Sequence, residues 1–131
     1  MKFGIFLLAV LATALPSVQL RAQDKPTVAI IGTGNLAVVL GPALGKSGYP
    51  VVFGSRDPAR DAVRTLVQLS GSRASAVSPR EAAAKAQVII LAVPGEVVEQ
   101  VASDLGELPG KVIIDVSGGE KRVASDGYLE K

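Results

Sequence analysis

The stretch Thr27-Val-Ala-Ile-Ile-Gly-Thr-Gly-Asn-Leu-Ala37 decides how the rest of the chain is read. Thr27 to Ile31 is a short apolar, β-branched run, the composition of a strand buried on both faces of a parallel sheet. Gly32-Thr33-Gly34-Asn35-Leu36-Ala37 follows at once with the spacing G-x-G-x-x-A. Asn35 to Lys46 then carries Leu36, Leu40 and Leu44 at i, i+4 and i+8, an apolar helix stripe. A glycine loop between strand and helix has a physical use. Gly32 permits a tight turn, Gly34 lets bare main chain approach a diphosphate, and Ala37 keeps the helix close to the strand. The start of the helix faces the negative charge. In this context the loop points to a dinucleotide.

Outward from that loop, strands and helices alternate. Pro42 lies inside the first helix, where it should kink the helix or remove a backbone bond, and Gly48 ends it. Val51-Val-Phe53 is a second strand. Pro58 marks the start of a second helix, with Asp57 or Ser55 as cap, running to about Leu69. Ala74 to Val77 is a third strand, and Ser78-Pro79-Arg80-Glu81 opens an Ala-rich helix to Ala86. Val88 to Val93 is the fourth strand. Glu96 to Leu105 reads as a helix with Val97, Val98, Val101 and Leu105 inward, and Lys111 to Asp115 as the fifth strand. Five alternations mean an α/β fold: a doubly wound parallel sheet of the Rossmann type, about five strands with helices on both faces. Its ligand belongs at the carboxyl ends of the strands. Those ends carry Gly32-Thr33-Gly34, Gly54-Ser55-Arg56, Val93-Pro94-Gly95 and Val116-Ser117-Gly118.

The second of these ends selects the cofactor. A site for NAD carries Asp or Glu about 20 residues beyond the loop, at the end of the second strand. Here Ser55 and Arg56 stand there, a hydroxyl and a guanidinium suited to a 2′-phosphate. NADP(H) is therefore expected over NAD(H). The missing acid also argues against an S-adenosylmethionine site, which needs one for its ribose hydroxyls. Gly41-Pro-Ala-Leu-Gly45-Lys46-Ser47 resembles a P-loop but has three residues between its glycines instead of four, and ends a helix instead of starting one.

Composition narrows the chemistry further. The 131 residues include no Cys, His or Trp. Disulfides, thiolate or imidazole metal sites and His-based catalytic triads are excluded. Glu96 and Glu99 lie on a solvated helix face, and Asp115 reads as the cap of a turn. No catalytic side chain is expected, so a borrowed cofactor must supply any redox step.

Residues 1–22 form a separate unit. Met1-Lys2 precedes an uncharged apolar run from Phe3 to Leu15, broken by Pro16 and followed by polar residues. This is the anatomy of a signal peptide, with cleavage after Ala22 or Ala14. The protein is then expected in the periplasm or secreted. The alternative is an uncleaved membrane anchor, since Phe3 to Leu20 carries no charge. The net charge of +2 arises from 14 basic and 12 acidic residues; removing Lys2 and Arg21 leaves 12 of each. No nucleic-acid partner is expected from that balance. The expected organisation is residues 1–22 as signal peptide, 23–117 as the dinucleotide domain and 118–131 as a polar tail.

Four segments together carry a family resemblance: Val28-Ala-Ile-Ile-Gly-Thr-Gly-Asn-Leu-Ala, Gly48-Tyr-Pro-Val-Val-Phe-Gly-Ser-Arg-Asp-Pro58, Ile90-Leu-Ala-Val-Pro94 and Gly110-Lys-Val-Ile-Ile-Asp-Val-Ser117. They resemble the NADPH-dependent deazaflavin-coenzyme reductases and, equally, the reductase domain of Steap-type metalloreductases, which share a pyrroline-5-carboxylate-reductase-like nucleotide domain. The resemblance implies hydride transfer from NADPH to a flavin, a deazaflavin or a flavin-linked metal acceptor. It implies that Thr33, Asn35 and Leu36 lie along the pyrophosphate, that Ser55 and Arg56 hold the 2′-phosphate, and that Val93, Pro94 and Ser117 line the nicotinamide end. Gly95 stands where relatives often have Trp or His, and Gly118-Gly119 where they usually have Asn. Both departures fall on the acceptor side. Relatives also continue with strands and helices that complete the acceptor pocket, so a donor half lacking most of its acceptor half is expected. Two further readings stay open: a non-catalytic exported module completed by a homodimer or a partner chain, and an inactive, shortened reductase.

Overall fold

At the centre of the sheet is β1 (Val28–Ile31), flanked by β2 (Val51–Gly54) and β4 (Val88–Leu91). The computed structural model describes residues 24–118 and, in addition, the backbone of 122–123 and 129–130. The signal-peptide reading of 1–22 and nearly all of the tail lie outside the described residues. Among these residues, no helix is long and apolar enough to cross a membrane. β3 (Ala74–Val77) and β5 (Val112–Asp115) complete a five-stranded sheet of order β3-β2-β1-β4-β5, parallel throughout. The remaining strands, β6 (Arg122–Val123) and β7 (Leu129–Glu130), pair antiparallel in a sheet of their own.

The strand sequences explain the layering. Alternate side chains of a strand point to opposite faces, so an apolar run needs cover on both. Ala29, Ile31, Val52, Ile89 and Leu91 pack on Ala82, Ala83 and Ala86 of α3 (Pro79–Lys85) and its cap, and on Leu105 of α4 (Val98–Leu105). Val28, Ile30, Val51, Phe53 and Ile90 pack instead on Ala37 of α1 (Asn35–Lys46) and Leu66 of α2 (Asp61–Leu69). The expected doubly wound sheet with helices on both faces is what forms. The two edge strands depart: no residue of β3 is fully buried, and in β5 Ile113 is 51% exposed, with Val112 and Ile114 also exposed.

Several boundaries and faces differ from the sequence reading. The face of α1 that reaches the core is Ala37 and Gly41, with Leu40 and Leu44 half-buried against it; Leu36 is exposed. Small residues let α1 lie close to the sheet. A Cβ on Gly41 would stand 2.4 Å from Phe53 Cζ, and one on Gly45 1.9 Å from the Ser70 carbonyl oxygen. The P-loop-like spacing in that segment therefore serves helix packing. Pro42 sits inside α1, which nevertheless runs on to Lys46. Helix α2 does not begin at Pro58, and neither Asp57 nor Ser55 caps it. Ser55 Oγ accepts from the Asp57 N–H at 3.2 Å, and the Arg60 N–H donates to the Asp57 carbonyl at 3.3 Å. Pro58 thus occupies the second position of a turn, where its fixed φ fits as well as at a helix start. β4 ends at Leu91 instead of Val93, and a 3-10 turn (Gly95–Val97) precedes α4. Val97 is exposed, not inward; Val98 and Val101 are half-buried against the core.

Candidate dinucleotide-binding site

The parallel topology brings the ends of β1, β2 and β4 to one edge of the sheet, where they frame a cavity of about 840 Å³. Gly32, Thr33 and Gly34 form one wall, Ser55 and Arg56 a second, and Ala92, Val93 and Pro94 a third. Seven of the ten residues expected at the site meet there. Asn35 and Leu36 open α1 directly after the glycine wall, and their side chains are exposed. Ser117 is not part of the lining; its N–H donates to Asp115 Oδ1 at 2.9 Å, so Asp115 caps the turn after β5 as its position suggested. The two loops nevertheless touch, because the Gly95 N–H donates to the Gly118 carbonyl beside the Pro94–Gly118 bridge.

The two glycines of the loop are glycines for different reasons. Gly32 has φ +111°, and a Cβ there would stand 2.3 Å from the Ala92 carbonyl oxygen, so the fold itself requires it. Gly34 has φ −84° and ψ −164°, values any residue adopts, and a Cβ there would meet no protein atom within 4 Å. Nothing in the packing asks for glycine at 34. The bare backbone leaves the cavity open at the start of α1. That start has no side-chain cap and no acid in its first turn, so its N–H groups and the positive end of the helix dipole remain available to an anion.

The opposite wall carries two cations, Arg56 and Arg60, and one carboxylate, Asp57. Among the described residues the only ion pair is Arg64 with Asp61 at 2.8 Å. Neither Arg56 nor Arg60, both lining the cavity, is neutralised by a carboxylate. Ser55 is buried, its N–H donating to the Val77 carbonyl at 2.9 Å. Its Oγ accepts from Asp57, which leaves the hydroxyl hydrogen to donate. A helix start without a cap, a free hydroxyl and two unpaired guanidiniums fit a ligand carrying a diphosphate and one further phosphate.

The lining also includes residues the sequence reading did not single out. Arg60 was hidden by placing Pro58 at a helix start, although its spacing of four from Arg56 was visible. Pro79 enters from the first turn of α3. Val97, Gln100, Val101 and Asp104 line the cavity at i, i+3, i+4 and i+7 around α4 and the turn before it. The signal for that face was its mixture of apolar and polar residues at one helical spacing.

Comparison with known proteins agrees with this fold. Over 95 residues, or 72% of this chain, the sequence is 37% identical to the metalloreductase STEAP3 of Rattus norvegicus, 18% of which is covered. A crystal structure of a protein assigned as an F420-dependent NADP-reductase, from Arthrobacter sp. FB24, superposes with a TM-score of 0.64 at 21% identity, over 80% of this chain and 50% of that one. A reductive aminase from Aspergillus terreus, solved with NADPH and ethyl-5-oxohexanoate, has a TM-score of 0.56 at 23% identity, over 72% of this chain and 32% of that one. At such identities the two structures speak for the fold alone. The chain spans half or less of the length of each relative. Residues 27–119 match the model of the family described as NADP oxidoreductase, coenzyme F420-dependent, and it is to this family of NADP-dependent oxidoreductase domains that the chain belongs.

Proposed function

We propose that the chain is the NADPH-holding part of an oxidoreductase that reduces a flavin, a deazaflavin or a metal chelate through a flavin. The observation that carries this reading is the single cavity joining the glycine loop, the Ser55–Arg56 wall and the Val93–Pro94 wall. The loop N–H groups would hold the diphosphate, with Thr33, Asn35 and Leu36 along it. Ser55 would donate its hydroxyl to the 2′-phosphate, and Arg56 and Arg60 would balance its charge. Val93 and Pro94 would keep water from the nicotinamide end, with Ser117 beside them. When bound, the dinucleotide supplies a hydride; the chain supplies position and electrostatics, and no side chain that carries a proton.

Calorimetric titration with NADPH and NADH tests this. Binding of NADPH in preference to NADH is expected. Arg56→Ala should weaken NADPH by about tenfold to a hundredfold and leave NADH within about twofold. Equal losses would remove Arg56 as selector, and no heat with either dinucleotide would remove the assignment. Steady oxidation of NADPH in the presence of flavin and ferric or cupric acceptors is the expected sign of turnover.

One observation favours a second reading. The exposed apolar side chains of β5 lack the cover its neighbours have. A module that binds NADPH and meets its acceptor only with a second copy or a partner chain fits that surface. Binding without turnover by the isolated chain would identify it. Export, the place implied by residues 1–22, is checked by sequencing the N-terminus of the protein recovered outside the cytoplasm; an intact Met1 in the membrane fraction would mean an anchor.

A further inference from the structure

We infer that Gln100, held in orientation by Asp104, reads the amino edge of an adenine base and makes the site selective for a 6-aminopurine dinucleotide. The inference rests on the dinucleotide assignment above. A 2′-phosphate held at Ser55 and Arg56 sits on the ribose that carries the base, so the base must lie in the part of the cavity next to that wall. Pro79 stands at the end of β2, its Cα 2.9 Å from where a Cβ on Gly54 would be, and the α4 face of Val97, Gln100, Val101 and Asp104 lines the same cavity. Val97 is 42% exposed, an apolar side chain turned to the cavity and not to the core. Pro79, Val97 and Val101 offer flat apolar contact to a ring, and the Arg56 guanidinium can stack on one.

The polar pair on the same face supplies direction. Gln100 Nε2 donates to Asp104 Oδ1 at 2.9 Å. An ionised carboxylate only accepts, so the amide nitrogen of Gln100 must face Asp104. Its orientation is thereby set: one N–H remains to donate, and Oε1 remains to accept. A glutamine presenting one acceptor and one donor matches the N6 amine and a neighbouring ring nitrogen of adenine, the pairing by which Gln reads adenine elsewhere. A 6-oxopurine presents a carbonyl oxygen where the amine was, and that oxygen would confront Oε1. Asp104 acts as a positioning residue, because it denies Gln100 the flipped orientation that would suit the oxo base.

Calorimetry on the full chain, with NADPH and its reduced hypoxanthine counterpart as the two ligands, tests this. Wild type should prefer NADPH by about tenfold. Gln100→Leu should bring the ratio to within about twofold by weakening NADPH alone. Asp104→Ala, which frees the amide to rotate, should narrow the ratio mainly by strengthening the oxo ligand. Equal affinities in wild type, or a preference that both variants leave intact, would overturn the inference while the dinucleotide assignment stands. Failure of wild type to bind either ligand would remove both.

Discussion

Two helices rise from the same edge of the sheet and begin in opposite ways. Helix α3 is closed by its own residues: the Glu81 N–H donates to Ser78 Oγ, and the Ser78 N–H and hydroxyl donate to the Glu81 carboxylate at 3.3 and 2.7 Å. Helix α1 starts at Gly34 with no side chain to cap it and no acid in its first turn. A capping box is a local device, and this chain uses it at the start of α3. Glycine at the cap of α1, in place of a capping side chain, gives up only about 0.3 kcal/mol. The difference leaves the N–H groups at the start of α1 without a side-chain cap, in a chain that belongs to a family of NADP-dependent oxidoreductase domains.

The contrast can be broken by closing the open helix. Gly34→Asp would place a capping carboxylate at the start of α1. It should stabilise the fold by about 0.3 kcal/mol against urea. It should also cost NADPH binding at least a hundredfold, about 3 kcal/mol, because a fixed anion would then occupy the diphosphate position. Retained affinity by calorimetry would mean that the start of α1 holds no ligand. Gly32→Ala sharpens the same point from the other side. Its positive φ and the clash with the Ala92 carbonyl should lower stability by about 2–3 kcal/mol in urea unfolding, before any effect on ligand. A mild effect would mean the loop is not held as described.

Opening the closed helix should do the reverse. Ser78→Ala removes the hydroxyl half of the box and leaves the backbone N–H of residue 78 on the Glu81 carboxylate; it should cost about 1 kcal/mol of stability, with NADPH affinity unchanged, and a change in affinity would couple α3's start to the site. The smallest effect is a pH dependence. The Ser78 hydroxyl, then its N–H, and to a lesser degree Lys85, hold the Glu81 carboxyl below its ordinary value of 4.5. A depressed carboxylate contributes stability that is complete above that ordinary value and is lost as pH falls through the lower folded one. The gap in melting temperature between wild type and Glu81→Gln should therefore be present at neutral pH and close in acid. A gap independent of pH would assign the box no ionic component.

What could be read in the sequence follows from the reach of each interaction. The capping box of α3 links residues three apart, and the turn at Gly32 follows its strand directly, so both were visible in short windows. The apolar runs of β1 and β4 declared burial on both faces by composition, and the layer architecture followed. Arg56 was found because its meaning depends on position after a strand. Pro58 was misplaced because a proline at a turn and one at a helix start share the same φ, and only the Arg60–Asp57 hydrogen bond tells them apart. Val97 was assigned inward because a helical stripe looks the same whether it meets a core or a cavity, and Val101 of that stripe meets both.

The sequence by itself determined the alternation of elements, the glycine loop and the cation after the second strand, since each is a property of neighbouring residues. Tertiary structure alone decided that β1 lies between β2 and β4, with Val28 beside both Val51 and Val88. It alone turned one face of α4 toward the cavity and left β5 bare. Those outcomes depend on pairings tens of residues apart, which packing selects and no local pattern encodes.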